Sequence, residues 1–419
     1  MRDRSQPDGS GNTRPPSEGL SVLPPSLKTM RALHTSDWHL GRAFKNVGML
    51  GVQARALDQL VEVVRSERIE AVLVSGDVYD RAVPAPDAVS LLSQTLERLV
   101  DAGARVVVSS GNHDSATRLG FASALLRPAG VHLATALDDI GRGVEISGVT
   151  IYPIPYLEPT VCADHLGATE RTHAAVMRAA IARVRSRHRG GPYAVLAHAV
   201  VTGGQGCESE RELAAGGLSA IPARVFAGAA YVAMGHLHGP QQLTPRVNYS
   251  GSPWAMSFGE AAHSKSWTLV DFSTSGEVRL ERALVPVDRP LARLRGRLAD
   301  LLADPRHTAA EAAWCSVVLT DPVRPLGAMD RLRARFPHAI ELTFEPAGSM
   351  GAPMTYARRV QDRTPLDVCC DFVSHVRGGA GADAAERELL ASAVEAARRD
   401  RAVREDEGVA AGARTAEAS

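Results

Sequence analysis

The sequence predicts an α/β fold with parallel strands, and three features point to it. Apolar runs of strand length, such as Ala71-Val72-Leu73-Val74-Ser75 and Arg105 to Ser109, alternate with stretches of helical spacing. Such runs end in polar loops, Gly76-Asp77 after the first and Gly111-Asn112 after the second. The chain has 419 residues, 45% of them hydrophobic, enough for one large core and one or two small domains.

Residues 1–29 are rich in Pro, Gly and Ser, lack the apolar block of a signal peptide, and read as a disordered extension. Met30, directly before the first strand, is a second candidate start. Arg31 to Ser36 reads as a buried strand that delivers Asp37 and His39. On an extended backbone, side chains two residues apart point the same way. Gly41 to Gly51 is a loop, and Leu57, Leu60, Val61 and Val64 then mark a helix. After Ala71 to Ser75, a second helix spans about Ala85 to Ala102, closed by Gly103. Short strands lie between Val131 and Tyr152, and Thr172 to Arg187 has helical spacing. Tyr193 to Ala197 is a strand that delivers His198, and Tyr231 to Met234 delivers Gly235-His236-Leu237-His238. Val247 to Ser250, Ser266 to Phe272 and Glu277 to Val285 read as closing antiparallel strands.

A pair of prolines then marks a boundary. The large domain spans 30–287, and a small α/β domain spans 288–347. In the small domain Leu291 to Leu302 and Ala328 to Phe336 read as helices, Cys315 to Leu319 and Ile340 to Phe344 as strands. Residues 348–365 form a linker, 366–400 carry two amphipathic helices, and 401–419 are a charged, disordered tail.

Acidic and basic residues balance at 47 each, so no global field draws the chain to DNA or to an anionic membrane. All but Lys28, Lys45 and Lys265 of the basic residues are arginine. The 5 cysteines form no C-x-x-C pair or disulfide framework, which fits a reducing, cytoplasmic setting. No apolar run is long enough to span a membrane.

The chemistry lies in the loops. Asp37, His39, Asp77, Asn112, His198, His236 and His238 each follow an apolar strand. Each block is weak alone, since a Gly-Asn-His-Asp is usually a turn and a single histidine after a strand is usually packed. Together they form a donor set of imidazole, carboxylate and amide without thiolate, which suits Mn²⁺, Fe²⁺ or Zn²⁺. The set exceeds one ion's needs and fits two divalent ions bridged by Asp77. Such a pair, about 3.5–4 Å apart, clamps a phosphodiester and activates water. His113 is placed to stabilise the transition state or protonate the leaving oxygen, with Asp114 to orient its imidazole. His34, inside a strand, reads as packed.

Asp37-x-His39, Gly76-Asp77-x-x-Asp80, Gly111-Asn112-His113-Asp114, His198 and Gly235-His236-x-His238 resemble the blocks of the calcineurin-like metallophosphoesterases. Around them, His34 to Gly41, Ser209-Glu210-Arg211-Glu212, Gly235 to Gln241 and Tyr249-Ser250-Gly251-Ser252-Pro253 resemble the nuclease-subunit branch of that family, found in bacterial SbcCD-type complexes. The likeness is strong from Met30 to Phe272 and rests on layout beyond it.

The resemblance implies a four-layer α/β/β/α sandwich, Mn²⁺ as the usual activator, and one ion held by Asp37, His39, Asp77 and His238. It implies a second ion on Asp77, Asn112, His198 and His236, and a catalytic rather than ligating His113. The small domain would be a capping domain over a DNA groove. The last helices would dock on an SbcC-type coiled-coil ATPase, with two copies paired in a heterotetramer.

The expected activity is 3′-to-5′ exonuclease on double-stranded DNA ends plus endonuclease on hairpins, in repair, recombination and replication. A phosphoesterase acting on a small phosphodiester or a phosphoprotein shares the same blocks and stays open as the alternative. Arg42 and Lys45 would meet phosphates while Phe44 stacks on a base; a solvated loop with one packed aromatic is the competing reading.

Overall fold

The computed structural model describes residues 28–207, 209–210, 220–287, 289–346, 364–377 and 381–396. The expected N-terminal extension, most of the expected linker, the expected end of the last helix and the expected tail lie outside them. The chain divides into two compact units, one ending at Phe344 and the other beginning at Glu345.

The first unit opens with β1 (Lys28–Thr35), a hairpin of β2 (Ala43–Phe44) and β3 (Val47–Gly48), α1 (Leu50–Ser66), β4 (Ala71–Ser75), α2 (Pro86–Asp101) and β5 (Arg105–Ser109). Two short helices, α3 (Ala116–Leu119) and α4 (Ser123–Leu126), lead to β6 (Val131–Ala134), β7 (Val144–Ile146) and β8 (Val149–Pro153). Next come α5 (Pro159–Leu166), α6 (His173–Arg187), β9 (Tyr193–His198) and β10 (Tyr231–Gly235). The large domain closes with β11 (Gln241–Gln242), β12 (Val247–Tyr249), β13 (Ser266–Ser273) and β14 (Val278–Leu284).

Two six-stranded sheets result, in the orders β14-β13-β1-β4-β5-β6 and β11-β12-β10-β9-β8-β7. Strands β1, β4, β5 and β6 run parallel, as do β8, β9, β10 and β12. Parallel strands buried on both faces are apolar throughout. In β4, Val72 and Val74 pack outward against Leu57, Leu60, Val61 and Val64 of α1, while Ala71 and Leu73 face the second sheet. The second sheet repeats the pattern. Val195, Ala197, Val232 and Met234 pack on Val176, Ala180, Ile181 and Val184 of α6, while Ala194, Leu196 and Ala233 face inward. Helix, sheet, sheet and helix thus enclose three apolar layers.

One of the closing strands differs from expectation. β12 pairs in parallel with β10, because the chain between them first runs back as the edge strand β11, antiparallel to β12. β13 and β14 are antiparallel, as expected.

The small domain is β15 (Leu291–Gly296), α7 (Leu298–Ala303), β16 (Trp314–Leu319), α8 (Ala328–Arg335) and β17 (Ala339–Phe344), a parallel three-stranded sheet with its own core. Leu291 to Leu302 is therefore a strand and a helix rather than one helix. Leu291, Leu294, Leu298 and Leu301 keep helical spacing across the junction, which misleads a reading by period. Pairing of β15 with β16 satisfies the backbone that a helix would satisfy internally. In the second unit, Pro365–Val376 and residues 384–396 are helical.

A buried polar chain ties the two sheets together just behind their carboxyl ends. Ser75 Oγ donates to the Ala233 carbonyl across the sheets at 2.9 Å, so it must accept from His34 Nε2 at 3.2 Å. His34 Nδ1 then accepts from Tyr231 Oη at 2.8 Å. These bonds need a neutral ring, and burial accordingly lowers the His34 pKa from 6.5 to about 3.

Well above pH 6.5 His34 is neutral in both the folded and the unfolded chain, and its contribution is complete. As pH falls below that value only the unfolded state takes up the proton, so stability drops until pH reaches about 3. Between pH 7 and pH 5 this loss is about 2 kcal/mol. Urea unfolding of His34→Gln should show a pH dependence weaker by that amount, and identical curves would refute it.

Candidate active site

The carboxyl ends of β1, β4 and β5 in one sheet face those of β9 and β10 in the other, and the loops that leave them meet. The β1 and β4 loops are zipped by Asp37 N donating to Gly76 O at 3.1 Å and His39 N to Asp77 O at 2.9 Å. Asp37, His39, Asp77 and His236 all have left-handed backbones, with φ of 55°, 42°, 50° and 99°. Such conformations are costly for non-glycine residues and persist where surroundings enforce them. Asp37 and His39 therefore converge through left-handed turns, not through the pleat of an extended strand as the sequence suggested.

Asp77 lies at the centre. Its Oδ1 accepts the His113 amide at 2.9 Å, and its Oδ2 lies 3.5 Å from His39 Nε2 and 3.4 Å from His198 Nε2. Asp37 accepts the His236 amide at 3.0 Å and the Ser36 hydroxyl at 2.5 Å. Asn112 Oδ1 sits 3.0 Å from His198 Nε2 and 3.2 Å from His236 Nδ1. All seven residues singled out by the sequence are thus brought together. Asp37, His39, Asp77, His198, His236 and His238 are buried.

These residues fit a divalent metal centre. Neither ring nitrogen of buried His39 has a hydrogen bond. His198 Nδ1 donates to the Ser75 carbonyl at 2.9 Å, which leaves Nε2 to face Asp77. Asp37, Asp77 and His198 group ligand atoms within 4.8 Å, as do Asp37, His39 and His238. Burial disfavours charge on His198, yet the Asp77 carboxylate beside it raises its pKa to about 9. Burial also opposes charge on Asp77, but His198, His39 and His113 hold its carboxyl well below the usual range. A cluster that must protonate a buried histidine to balance its carboxylates is short of positive charge, which cations supply when histidine gives up its proton.

His113 and Asp114 enter differently. His113 Nδ1 donates to the Asp80 carbonyl at 2.8 Å, which turns Nε2 toward Asp77 Oδ2, 3.9 Å away. The Asp114 carboxylate instead accepts the amides of Val78, Tyr79 and Gly111 at 3.1, 2.9 and 2.9 Å. Orientation of the imidazole falls to Asp80, and Asp114 braces the β4 and β5 loops. The side chain of Asp80 also lies 3.5 Å from His39 Nδ1. The sequence shows Asp80 at the end of the Gly76-Asp77-x-x-Asp80 block but carries no signal of this role.

The Arg42, Phe44 and Lys45 loop forms the rim. Phe44 is 1% exposed, packed on Phe258 at 4.9 Å between ring centroids, and with Met49 it seals the joint to the small domain. Burial of that much apolar surface outweighs exposure to a base, so the stacking role expected for Phe44 is not what this fold provides. Arg42 bonds the Ser209 carbonyl at 3.1 Å, and Lys45 pairs with Glu341 of the small domain at 2.5 Å.

Glycine before the ligands is a steric necessity. A Cβ on Gly235 would fall 1.8 Å from the Ser75 carbonyl oxygen of the facing sheet and 2.8 Å from His198 Nδ1. Gly235→Ala must push the sheets apart where they are stapled, and should cost several kcal/mol, at or above the roughly 4–5 kcal/mol that marks exceptional substitutions. A thermal midpoint within a few degrees of the wild type would show that the close approach is not obligatory.

Residues 30–240 match the calcineurin-like phosphoesterase family, and residues 287–377 match the type 5 capsule protein repressor C-terminal domain. The chain is 36% identical over 280 residues to the D subunit of nuclease SbcCD from Bacillus subtilis (strain 168), covering 63% of this chain and 72% of the relative. It belongs to the SbcD family of calcineurin-like phosphoesterases. The corresponding SbcCD nuclease protein of Escherichia coli (strain K12) is 32% identical over 317 residues, covering 70% of this chain and 76% of its own. Among solved structures, TT1561 of Thermus thermophilus aligns over 62% of this chain and 100% of its own at 13% identity and a TM-score of 0.39. SbcD membership makes the chain a hydrolytic enzyme of a nuclease family, and a phosphoesterase domain implies divalent metal.

Proposed function

We propose that the chain is the nuclease subunit of an SbcCD-type complex, cutting DNA at double-stranded ends and hairpins with two divalent ions, Mn²⁺ first among them. One observation carries the reading: Asp77 Oδ2 lies 3.5 Å from His39 and 3.4 Å from His198, with the remaining donors converging around it. In this reading Asp37, His39, Asp77 and His238 hold one ion, and Asp77, Asn112, His198 and His236 the other. The ions would supply polarisation of the phosphodiester and an activated water. His113 would deliver a proton from Nε2 to the departing 3′ or 5′ oxygen, its ring held through Nδ1 by Asp80.

A cleft of about 470 Å³ between the site's rim and the small domain supports a polymeric substrate. Its charged lining residues are Arg42, Arg293 and Lys45, the last paired with Glu341. The small domain, 288–347, would act as a cap over it. Exposed Phe372 and Leu389, on the two C-terminal helices, supply apolar surface for a coiled-coil ATPase. Exposed Val83, Phe121 and Leu125 supply another for a second copy of the chain. No helix among the described residues is long and apolar enough to cross a membrane, and we place the complex with the chromosome in the cytoplasm.

The test is degradation of end-labelled duplex and hairpin DNA by the purified chain, with and without its ATPase partner and ATP. Cleavage in Mn²⁺, absent in EDTA and stimulated by the partner, is the expected result. Hydrolysis of bis-p-nitrophenyl phosphate without any DNA cleavage, partner included, would transfer the chain to the small-substrate phosphoesterases.

A further inference from the structure

We propose that Ser209, Glu260 and Lys265 are positioning residues that hold His238 in the one tautomer presenting Nε2 to a metal, an inference that rests on the metal-centre reading above. Every other polar group of His238 is engaged. Its amide donates to Glu210 Oε1 at 2.6 Å. Its carbonyl accepts from Lys265 Nζ at 3.1 Å and from the Ser252 amide at 3.2 Å. Its Nδ1 lies 2.7 Å from Ser209 Oγ.

Proton counting sets the direction of that last bond. Glu260 is 1% exposed, and its carboxylate is paired with the buried Lys265 ammonium, so it only accepts. Ser209 has a single hydroxyl proton and spends it on Glu260 Oε1 at 2.5 Å. Its oxygen must then accept from His238, which puts the ring proton on Nδ1 and leaves the Nε2 lone pair free. Relays of this kind fix the tautomer and orientation of metal-binding histidines. Cys207 Sγ lies 3.1 Å from the same oxygen and donates its own proton to Glu210 Oε1 at 3.4 Å.

Lys265 is one of only three lysines in a chain whose other basic residues are arginine, and it is 6% exposed. Its three N–H groups meet three acceptors: the His238 carbonyl, Ser252 Oγ at 2.8 Å and Glu260 Oε2. A tetrahedral ammonium satisfies that arrangement, whereas a planar guanidinium does not. The same ammonium keeps Glu260 ionised, so one side chain supports both the main chain and the ring of His238.

The test is Mn²⁺ binding to the full-length chain, followed by the electron paramagnetic resonance signal of free Mn²⁺. Ser209 is only partly buried, so Ser209→Ala is expected to fold, and thermal unfolding checks that it does. It should weaken one of the two Mn²⁺ sites by about 10–100-fold and leave the other unchanged. Ser209→Thr, which restores the hydroxyl, should restore the affinity. Glu260→Gln should mimic the alanine variant, because its amide can donate to Ser209 and reverse the relay, moving the His238 proton to Nε2. His238→Ala is the reference and should lose that site. If His238→Ala binds Mn²⁺ as the wild type does, the metal reading of His238 fails. If it loses the site while Ser209→Ala and Glu260→Gln keep both, or if Ser209→Thr binds as weakly as Ser209→Ala, the relay is overturned.

Discussion

Asp77→Asn is expected to lower Mn²⁺-dependent DNA cleavage by about 10³-fold or more, equivalent to roughly 4 kcal/mol of transition-state stabilisation. The substitution preserves shape, so the fold should survive it. It removes the buried charge that His198, His39 and His113 all face. Asp77 Oδ2 stands 3.5 Å from a histidine of one proposed ligand set and 3.4 Å from a histidine of the other, so both ion sites depend on it. Bound manganese, measured by elemental analysis after desalting, should fall from two ions per chain to less than one. A variant that keeps both ions and wild-type cleavage would remove Asp77 from the centre of the site.

The second expected result separates the metal centre from proton transfer. His113→Gln should cut DNA about 10²–10⁴-fold more slowly while metal content stays unchanged. The His113 amide, not its ring, bonds Asp77 Oδ1 at 2.9 Å, and glutamine retains that amide. The ring's own task depends on Nε2, which faces the site because Nδ1 is held by the Asp80 carbonyl at 2.8 Å. A p-nitrophenolate leaving group needs no proton, so hydrolysis of bis-p-nitrophenyl phosphate should fall far less than DNA cleavage. Equal losses on both substrates would refute the general-acid role and favour plain electrostatic stabilisation by His113.

Much of this was legible in the chain itself. The apolar runs at Ala71 to Ser75 and Tyr193 to Ala197 read as strands of a parallel sheet, whose site lies beyond the strands' carboxyl ends. His34 lies within a strand run, which predicts a packed ring, and it is fully buried. Local pattern misleads where tertiary context overrides it. Leucines from 291 to 301 fit a helix, yet pairing with β16 makes the first half a strand. The loop's pattern leaves Phe44 open between stacking and packing, and the small domain that closes over it decides for packing. Glu260 and Lys265 carried no signal, because their importance lies in partners that the sequence does not put beside them.

Around the site, the strands, their parallel order and the residues that gather there could be read from the chain. These follow from hydrophobic period and from which side chains stand where a strand stops. The conformation and protonation of those residues are set by tertiary contacts. Asp37 and His39 turn left-handed because the neighbouring loop takes their amides. His198 is oriented by a carbonyl 123 residues away, and His238 by a hydroxyl 29 residues away. A histidine's tautomer is set by whatever bonds its other nitrogen, and in this fold that partner lies on a different element.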